Sequence, residues 1–190
     1  LFEEKHEKYV EPQTPVRFVP GQDERFIWMS RRDGYNHIYL YNTEGELIKQ
    51  LTRGPWEVTG VEGFDKKGQQ LYFTSTKESP LERHLYRVNI ASGKTTRLTS
   101  QPGYHSPHMS ADGQYIIDRY SSTETPNTIR MINHKGKTIR TLLKSADPLK
   151  DYNLGEVTIS TIKAADGETD LYYRMIKPAN FDPNKKYPAI

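Results

Sequence analysis

Residues 37–52 read HIYLYNTEGELIKQLT, two short strand-like runs joined at Glu44-Gly45 and closed by Leu51-Thr52. The figure returns at residues 84–99 as HLYRVNIASGKTTRLT. His37 to His84 is 47 residues, Leu51 to Leu98 is 47, and Gly45 to Gly93 is 48. A looser third copy, TIRMINHKGKTIRTL, spans residues 128–142, with Leu98 to Leu142 at 44. A period in the mid-forties made of short strands is the spacing of a β-propeller blade.

The rest of each unit falls in phase with these pairs. Phe26-Ile27-Trp28-Met29-Ser30 is a continuous apolar run, the pattern of a strand buried on both faces. Leu71-Tyr72-Phe73-Thr74-Ser75 follows it by 45 residues, and Tyr115-Ile116-Ile117 is the third member. Asp33-Gly34, Asp65–Gly68 and Asp112-Gly113 are turn signals, with Gly68 to Gly113 again 45. Gly54-Pro55 and Pro102-Gly103 break the chain between units. The sequence therefore predicts an all-β chain: a partial β-propeller of about three four-stranded antiparallel blades, at 16–53, 54–101 and 102–143. Residues 1–15 read as the end of a preceding blade and a linker, with a short helix as the alternative. In residues 144–190 the rhythm stops. Asp147-Pro148 caps a short helical turn, and Glu156–Lys163 with Thr169–Lys177 reads as a hairpin around Ala165-Asp166-Gly167. The competing reading is a β-sandwich with coincidental spacing, but glycines, strand runs and closing Leu-Thr recur together.

Composition narrows the function classes. Among 190 residues there are 13 Tyr, 6 Phe and 2 Trp, which favour a β-rich globule over disorder. The net charge is only +3 and the cations are interspersed with acids, so nucleic acid is a poor partner. No apolar run reaches the ~20 residues that span a bilayer as a helix. No cysteine is present, which excludes thiol catalysis, disulfides and cysteine-based zinc sites. The abrupt start at Leu1-Phe2 and the abrupt end at Tyr187-Pro188-Ala189-Ile190 suggest a piece of a longer chain.

Few residues carry chemistry. No Gly-x-Ser-x-Gly occurs, so the nucleophile elbow of an α/β-hydrolase is missing from these residues. His105 and His108 could share a helix face and bind a metal, but Pro107 and the flanking strands point to a loop at the start of a blade. Gly60–Gly63 lacks the lysine and third glycine of a phosphate cradle. Arg31-Arg32-Asp33 could bind an anion or form a solvated hairpin tip. Trp28 and Trp56 could line a pocket, but the spacing favours indoles that are mostly buried between blades. Glu3-Glu4 is an acidic pair.

Three stretches together carry a resemblance. Asp33-Gly34-Tyr35-Asn36-His37-Ile38-Tyr39-Leu40, then Thr52-Arg53-Gly54-Pro55-Trp56-Glu57-Val58, then Ile176–Pro188 (IKPANFDPNKKYP) resemble the dipeptidyl peptidase IV family of serine exopeptidases. The resemblance implies the last blades of an eight-bladed propeller, plus the segment re-entering an α/β-hydrolase domain. It implies removal of N-terminal dipeptides with proline preferred in second position, through a Ser ester, without a cofactor. The family's nucleophilic Ser, Asp and His fall beyond Ile190. Its oxyanion-hole Tyr also follows this chain, and Tyr187 lies too early to be it. Its paired glutamates precede Leu1, and the context of Glu3-Glu4 does not match that motif. So no catalytic, cofactor or metal residue is assigned, and the chain alone is expected to be inactive. Expected partners are the remaining blades, the hydrolase domain, a peptide substrate in the parent, and other copies meeting through bare blade faces. The family's station is periplasmic or extracellular. Two other readings stay open: a stand-alone propeller binding module, and the propeller of an oligopeptidase or acylaminoacyl peptidase.

Overall fold

The computed structural model describes residues 3–5, 7–11 and 16–188. It divides into two compact units, residues 1–146 and 147–190.

The first unit contains three four-stranded antiparallel sheets, each ordered as it runs in the chain. The first blade is β1 (Arg17–Val19), β2 (Gln22–Ser30), β3 (His37–Asn42) and β4 (Leu47–Gln50). The second is β5 (Val58–Phe64), β6 (Gln70–Ser75), β7 (His84–Asn89) and β8 (Thr95–Arg97). The third is β9 (Tyr104–Met109), β10 (Tyr115–Ser121), β11 (Thr128–Asn133) and β12 (Thr138–Lys144). Together they form an open partial propeller, the predicted class.

Packing explains the continuous apolar runs. In β6, Leu71 and Phe73 join Ile27, Met29, Ile38 and Leu40 of the first blade in one buried cluster. Tyr72 points the other way, into a cluster with Leu85, Leu98, Ile116 and Ile132. Successive side chains alternate across a strand, so a strand between two blades is apolar at every position.

The turn glycines serve the same stacking. Gly68 has φ +63°, and a Cβ there would run into the Pro20 carbonyl oxygen of the first blade. Gly136 has φ +84°, and its Cβ would lie 2.5 Å from the Leu98 carbonyl oxygen of the second blade. The glycine supplies the left-handed backbone and lets one blade's hairpin press on its neighbour's main chain.

The described residues 3–5 and 7–11 hold neither strand nor helix; residues 1, 2, 6 and 12–15, over which the expected blade end and linker also run, lie outside the described set. Trp28 and Trp56 keep a minor part of their surface exposed and are mostly buried, as expected. Each packs against a cluster edge while its ring margin meets solvent or polar groups. The two end faces of the first unit also differ. On the outer face of the first blade Phe26, Tyr39 and Tyr41 are buried, while Phe18 and Leu47 are each 49% exposed. On the third blade, Tyr115 and Ile117 are 48% and 38% exposed.

The second unit is a hydrogen-bonded turn followed by one hairpin, β13 (Val157–Lys163) and β14 (Asp170–Ile176). Asp147 Oδ1 accepts the Leu149 N–H at 2.9 Å and caps the turn. The turn does not extend into a helix. Both faces of the hairpin are apolar and exposed. Register places Val157, Ile159, Tyr172 and Ile176 on one side and Ile162, Leu171 and Met175 on the other.

Candidate functional site

The residues that assemble into a site lie where the N-terminal segment crosses the first blade. Glu4 is the node. Its Oε2 accepts the Trp28 indole N–H at 2.6 Å, its Oε1 accepts the Ser30 hydroxyl, and Arg32 Nη2 lies 3.7 Å from Oε1. The Arg32 guanidinium lies 4.4 Å from the Tyr39 ring centre and donates to the Tyr41 hydroxyl at 2.5 Å. Glu4 and Arg32 therefore help to cover the aromatic face, which explains its burial. The Tyr39 hydroxyl is pushed up to about 12, chiefly by burial and next by the Asp33 charge.

Arg31 binds across elements. Its Nε donates to Glu11 at 2.7 Å and its Nη1 to Glu57 at 2.6 Å. Glu57 also accepts the Asn36 backbone N–H at 3.1 Å, so one carboxylate ties the β2–β3 tip to the start of β5. Asp33 accepts the Gln50 amide at 2.6 Å. The Arg31-Arg32-Asp33 tip is thus a set of paired charges, neither a free anion site nor a simply solvated turn. Between segment and tip lies a small open hollow, lined by Glu4, Tyr9, Val10, Glu11, Arg31 and Arg32 among others. Exposed Tyr9 and Val10 give it an apolar wall, and the paired charges give it a polar rim. It offers no nucleophile with an adjacent base.

The other sequence candidates separate. His105 and His108 lie on a strand, not a helix, where three-residue spacing puts side chains on opposite faces. His105 is buried against Asp118, while His108 is exposed with Nδ1 2.7 Å from the Pro107 carbonyl oxygen. No group of three or more His, Asp or Glu able to hold a metal occurs among the described residues. Gly60 and Gly63 belong to β5, whose register shifts twice, between Val58 and Gly60 and between Val61 and Gly63. Gly63 admits the Met109 side chain; no ligand loop forms there. Trp56 meets the His37 ring edge-on at 4.8 Å and stacks on Phe73 at 6.4 Å, so it belongs to the core margin. Among the described residues of Glu3-Glu4, Glu3 pairs only with Lys5, at 3.0 Å, in solvent. Tyr187 accepts the Asp182 backbone N–H at 2.9 Å and stacks on Phe181.

Sequence reasoning missed two groups. The Glu4–Trp28 bond spans 24 residues and leaves no local signature. The buried cluster of His105, Asp118 and Arg130 did leave one. Asp118 shares the core face of β10 with Ile116, and Arg130 stands opposite it in register on β11. A polar pair on a buried period-two face is the signal.

Comparison with known proteins follows the same lines. Residues 1–127 match the family model described as the dipeptidyl peptidase IV (DPP IV) N-terminal region. Dipeptidyl peptidase 4 of Arthroderma otae is 35% identical over 173 residues, covering 88% of this chain and 22% of the relative. The crystal structure of a Bacteroides ovatus protein assigned as dipeptidyl aminopeptidase IV superposes with a TM-score of 0.85 at 40% identity, over 96% of this chain and 29% of that one. The crystal structure of Porphyromonas gingivalis dipeptidyl peptidase 4 superposes with a TM-score of 0.82 at 32% identity, over 91% of this chain and 24% of that one. The chain thus spans between a fifth and a third of the length of these relatives.

Proposed function

The chain belongs to the dipeptidyl peptidase IV N-terminal region family, and on that premise we propose that it is the non-catalytic propeller portion of a serine exopeptidase that removes N-terminal dipeptides, preferring proline in the second position. The family match carries this reading, since relatives bearing the same region are dipeptidyl peptidases. The work of the blades is steric: they restrict access to the active site and support the segments that hold a peptide. Acyl transfer through a Ser ester would use groups outside these 190 residues, which contain no Gly-x-Ser-x-Gly.

The hairpin supports the partner in this proposal. An isolated two-stranded pair is marginal in water, and this one is apolar on both faces. A pair of that kind suits the edge of a larger sheet covered by layers on both sides, as in an α/β-hydrolase domain. A stand-alone binding propeller has no use for it. A periplasmic or extracellular station belongs to the same proposal and rests on resemblance alone. Fractionation of the host checks it, and recovery with the cytoplasm overturns that part.

Two measurements test the whole. The purified chain should release no chromophore from a Gly-Pro chromogenic substrate above the buffer rate. Release that a serine-directed phosphonate abolishes overturns the assignment. The reading frame beyond Ile190 should encode Gly-x-Ser-x-Gly, then Asp, then His. A frame that continues without that order removes the peptidase reading and leaves the binding module.

A further inference from the structure

The seam between the first and second blades is built differently from the seam that follows it. Register sets Ile27, Leu40 and Lys49 in one row across the first blade, on the side that faces the second. The corresponding row of the second blade, facing the third, is Tyr72, Arg87 and Thr96. There the Tyr72 hydroxyl donates to the His134 carbonyl oxygen of the third blade at 3.2 Å, and Arg87 Nη1 donates to the same oxygen at 3.4 Å. Ile27 and Leu40 are shorter and carry no donor. From their row Lys49 crosses the seam instead, its Nζ donating to the Ala91 carbonyl oxygen at 2.7 Å.

The shorter row leaves an open hollow of about 420 Å³ between the two blades, a size suited to a small molecule. Its floor is apolar. Leu40 and Ile90 are buried there, and Ile48 beside them is about half exposed. A bulge brings Ile48 to this place. Leu40 pairs with Lys49 and Tyr41 with Leu47, so Ile48 stands unpaired between the two partners. Successive strand residues ordinarily point to opposite faces, but a bulge re-aims them, and Ile48 and Lys49 line the same hollow. In the second blade β7 and β8 pair without a shift.

The rim is cationic. Arg25 and Lys49 line the hollow, and no acidic side chain does. Asp23 and Glu24, the neighbouring acids along β2, lie outside the lining. Each cation is bonded to a neutral partner: Arg25 Nη1 donates to Gln22 Oε1 at 3.1 Å, as Lys49 does to the Ala91 carbonyl. A guanidinium has five N–H donors and an ammonium three, so both keep donors to give.

We propose that this hollow binds a small amphipathic carboxylate, with an alkyl body against Leu40, Ile48 and Ile90 and the carboxylate held by Arg25 and Lys49. An apolar body alone would leave the two cations without an anion. A small hydrophilic anion would meet them in water, where such pairs gain little. A ligand with both parts uses floor and rim together, and its body excludes water beside the ion pair. The site stands apart from the peptidase reading, since two blades of this chain form all of it.

Methyl NMR on the 190-residue chain, titrated with sodium octanoate, reads the site residue by residue. The Ile48 and Ile90 methyls should shift together on one saturable curve. Affinity should rise at least about twofold for each methylene from butanoate to octanoate. Octanol, which lacks the charge, should bind about tenfold more weakly, and octylammonium more weakly still. Ile48→Asp puts an acid into the lining and should abolish the shift at Ile90, while Ile48→Val should keep it. Arg25→Gln combined with Lys49→Gln should bring octanoate down to the level of octanol. Octanoate that perturbs only the exposed hairpin methyls of Ile159 and Ile162 overturns the proposal, as does a shift at Ile90 that never saturates. Octanol bound as tightly as octanoate overturns it too, because the cations then play no part. If a variant does not fold, the series of octanoate, octanol and octylammonium on the wild-type chain decides alone.

Discussion

The Nδ1 of His37 lies 3.1 Å from the Thr52 hydroxyl, and that hydroxyl also accepts the Ile38 backbone N–H at 2.9 Å. His37 Nε2 reaches the Gly54 carbonyl at 2.9 Å. The second blade repeats the arrangement at His84 and Thr99, with 3.1 Å and 3.0 Å. Thr donates to the ring and accepts from the backbone, so one hydroxyl closes the strand pair at the point where the ladder ends. The third blade has Thr128 where His would stand. Thr52→Val keeps the shape and deletes the hydroxyl. It leaves a buried N–H and a buried ring nitrogen without partners, a cost of about 1–3 kcal/mol for each group. Urea unfolding should show a loss of about 2–4 kcal/mol, with Thr52→Ser losing far less. A Val variant as stable as wild type removes the role.

This bond also shows how much was legible. His37, Thr52, His84 and Thr99 stand inside the repeated stretches, and their period of 47 was visible. Strands and turns were readable because period-two alternation and glycine turns are local properties. The glycine period had a second cause that no local rule reports, the press of Gly68 on Pro20 and of Gly136 on Leu98. The cover over Phe26, Tyr39 and Tyr41 was not readable at all. It depends on Glu4 reaching Trp28 and on Arg32 folding back over its own hairpin, contacts without a pattern in the sequence. The remaining exposure of Trp56 follows from its place at the mouth of β5, where a blade edge meets solvent.

Gly21 and Gly68 separate backbone strain from blade stacking. Their φ values are similar, +71° and +63°. A Cβ at Gly21 meets nothing within 4 Å, whereas one at Gly68 meets Pro20 and Val19. Gly21→Ala should cost about 1–2 kcal/mol for the left-handed backbone alone. Gly68→Ala should cost that plus an overpacking penalty of about 1–3 kcal/mol. Equal losses in denaturant would show that the hairpins do not bear on neighbouring blades.

Glu62 gives a pH signature. Burial raises its carboxyl above the ordinary value of 4.5; the Thr74 hydroxyl, His108 and Arg17 pull the other way. A carboxyl raised in the fold stabilises below its unfolded value and loses that contribution as pH rises through the folded one. At neutral pH the charged form is therefore a burden, lightened by partial solvent contact. Glu62→Gln should raise stability at roughly pH 7 by under about 1 kcal/mol. The gain should shrink as pH falls toward about 4. A variant less stable than wild type at neutral pH contradicts the burial argument.

The hairpin unit should depend on outside cover. Its strands pair along seven positions, from Val157↔Ile176 to Lys163↔Asp170, and both of its faces are exposed. Residues 147–190 as a free peptide should show little β-structure by circular dichroism, since a lone pair of strands is marginal. Residues 1–146 should keep the near-ultraviolet signal of the full chain. A cooperatively melting 147–190 peptide would mark an independent domain and weaken the edge-of-sheet reading.

The third blade should make the isolated chain associate. Tyr115 and Ile117 are exposed on β10, and register places Met131 opposite Ile117 and Ile129 opposite Arg119 on β11. Leu143 on β12 stands opposite Ile129, extending the apolar patch outward. Arg119, Arg140 and His108 stand among these side chains without filling the patch. Each ~100 Å² of apolar surface covered contributes about 2.5 kcal/mol, so two copies meeting here gain enough to overcome a few kcal/mol of ordering. The first blade offers a smaller face among the described residues, because Phe26, Tyr39 and Tyr41 are buried and only Phe18 and Leu47 on that side are about half exposed. Association through the third blade alone should stop at a symmetric dimer rather than run on into filaments. Light scattering should show a mass that rises with concentration and levels at twice the monomer. Ile117→Arg should hold the chain monomeric with an unchanged circular dichroism spectrum, since Ile117 is not part of the inter-blade core. A wild-type monomer at every concentration would mean that the face is covered within the chain, and higher aggregates that Ile117→Arg leaves intact would place the sticky surface elsewhere, with the exposed hairpin as the next suspect.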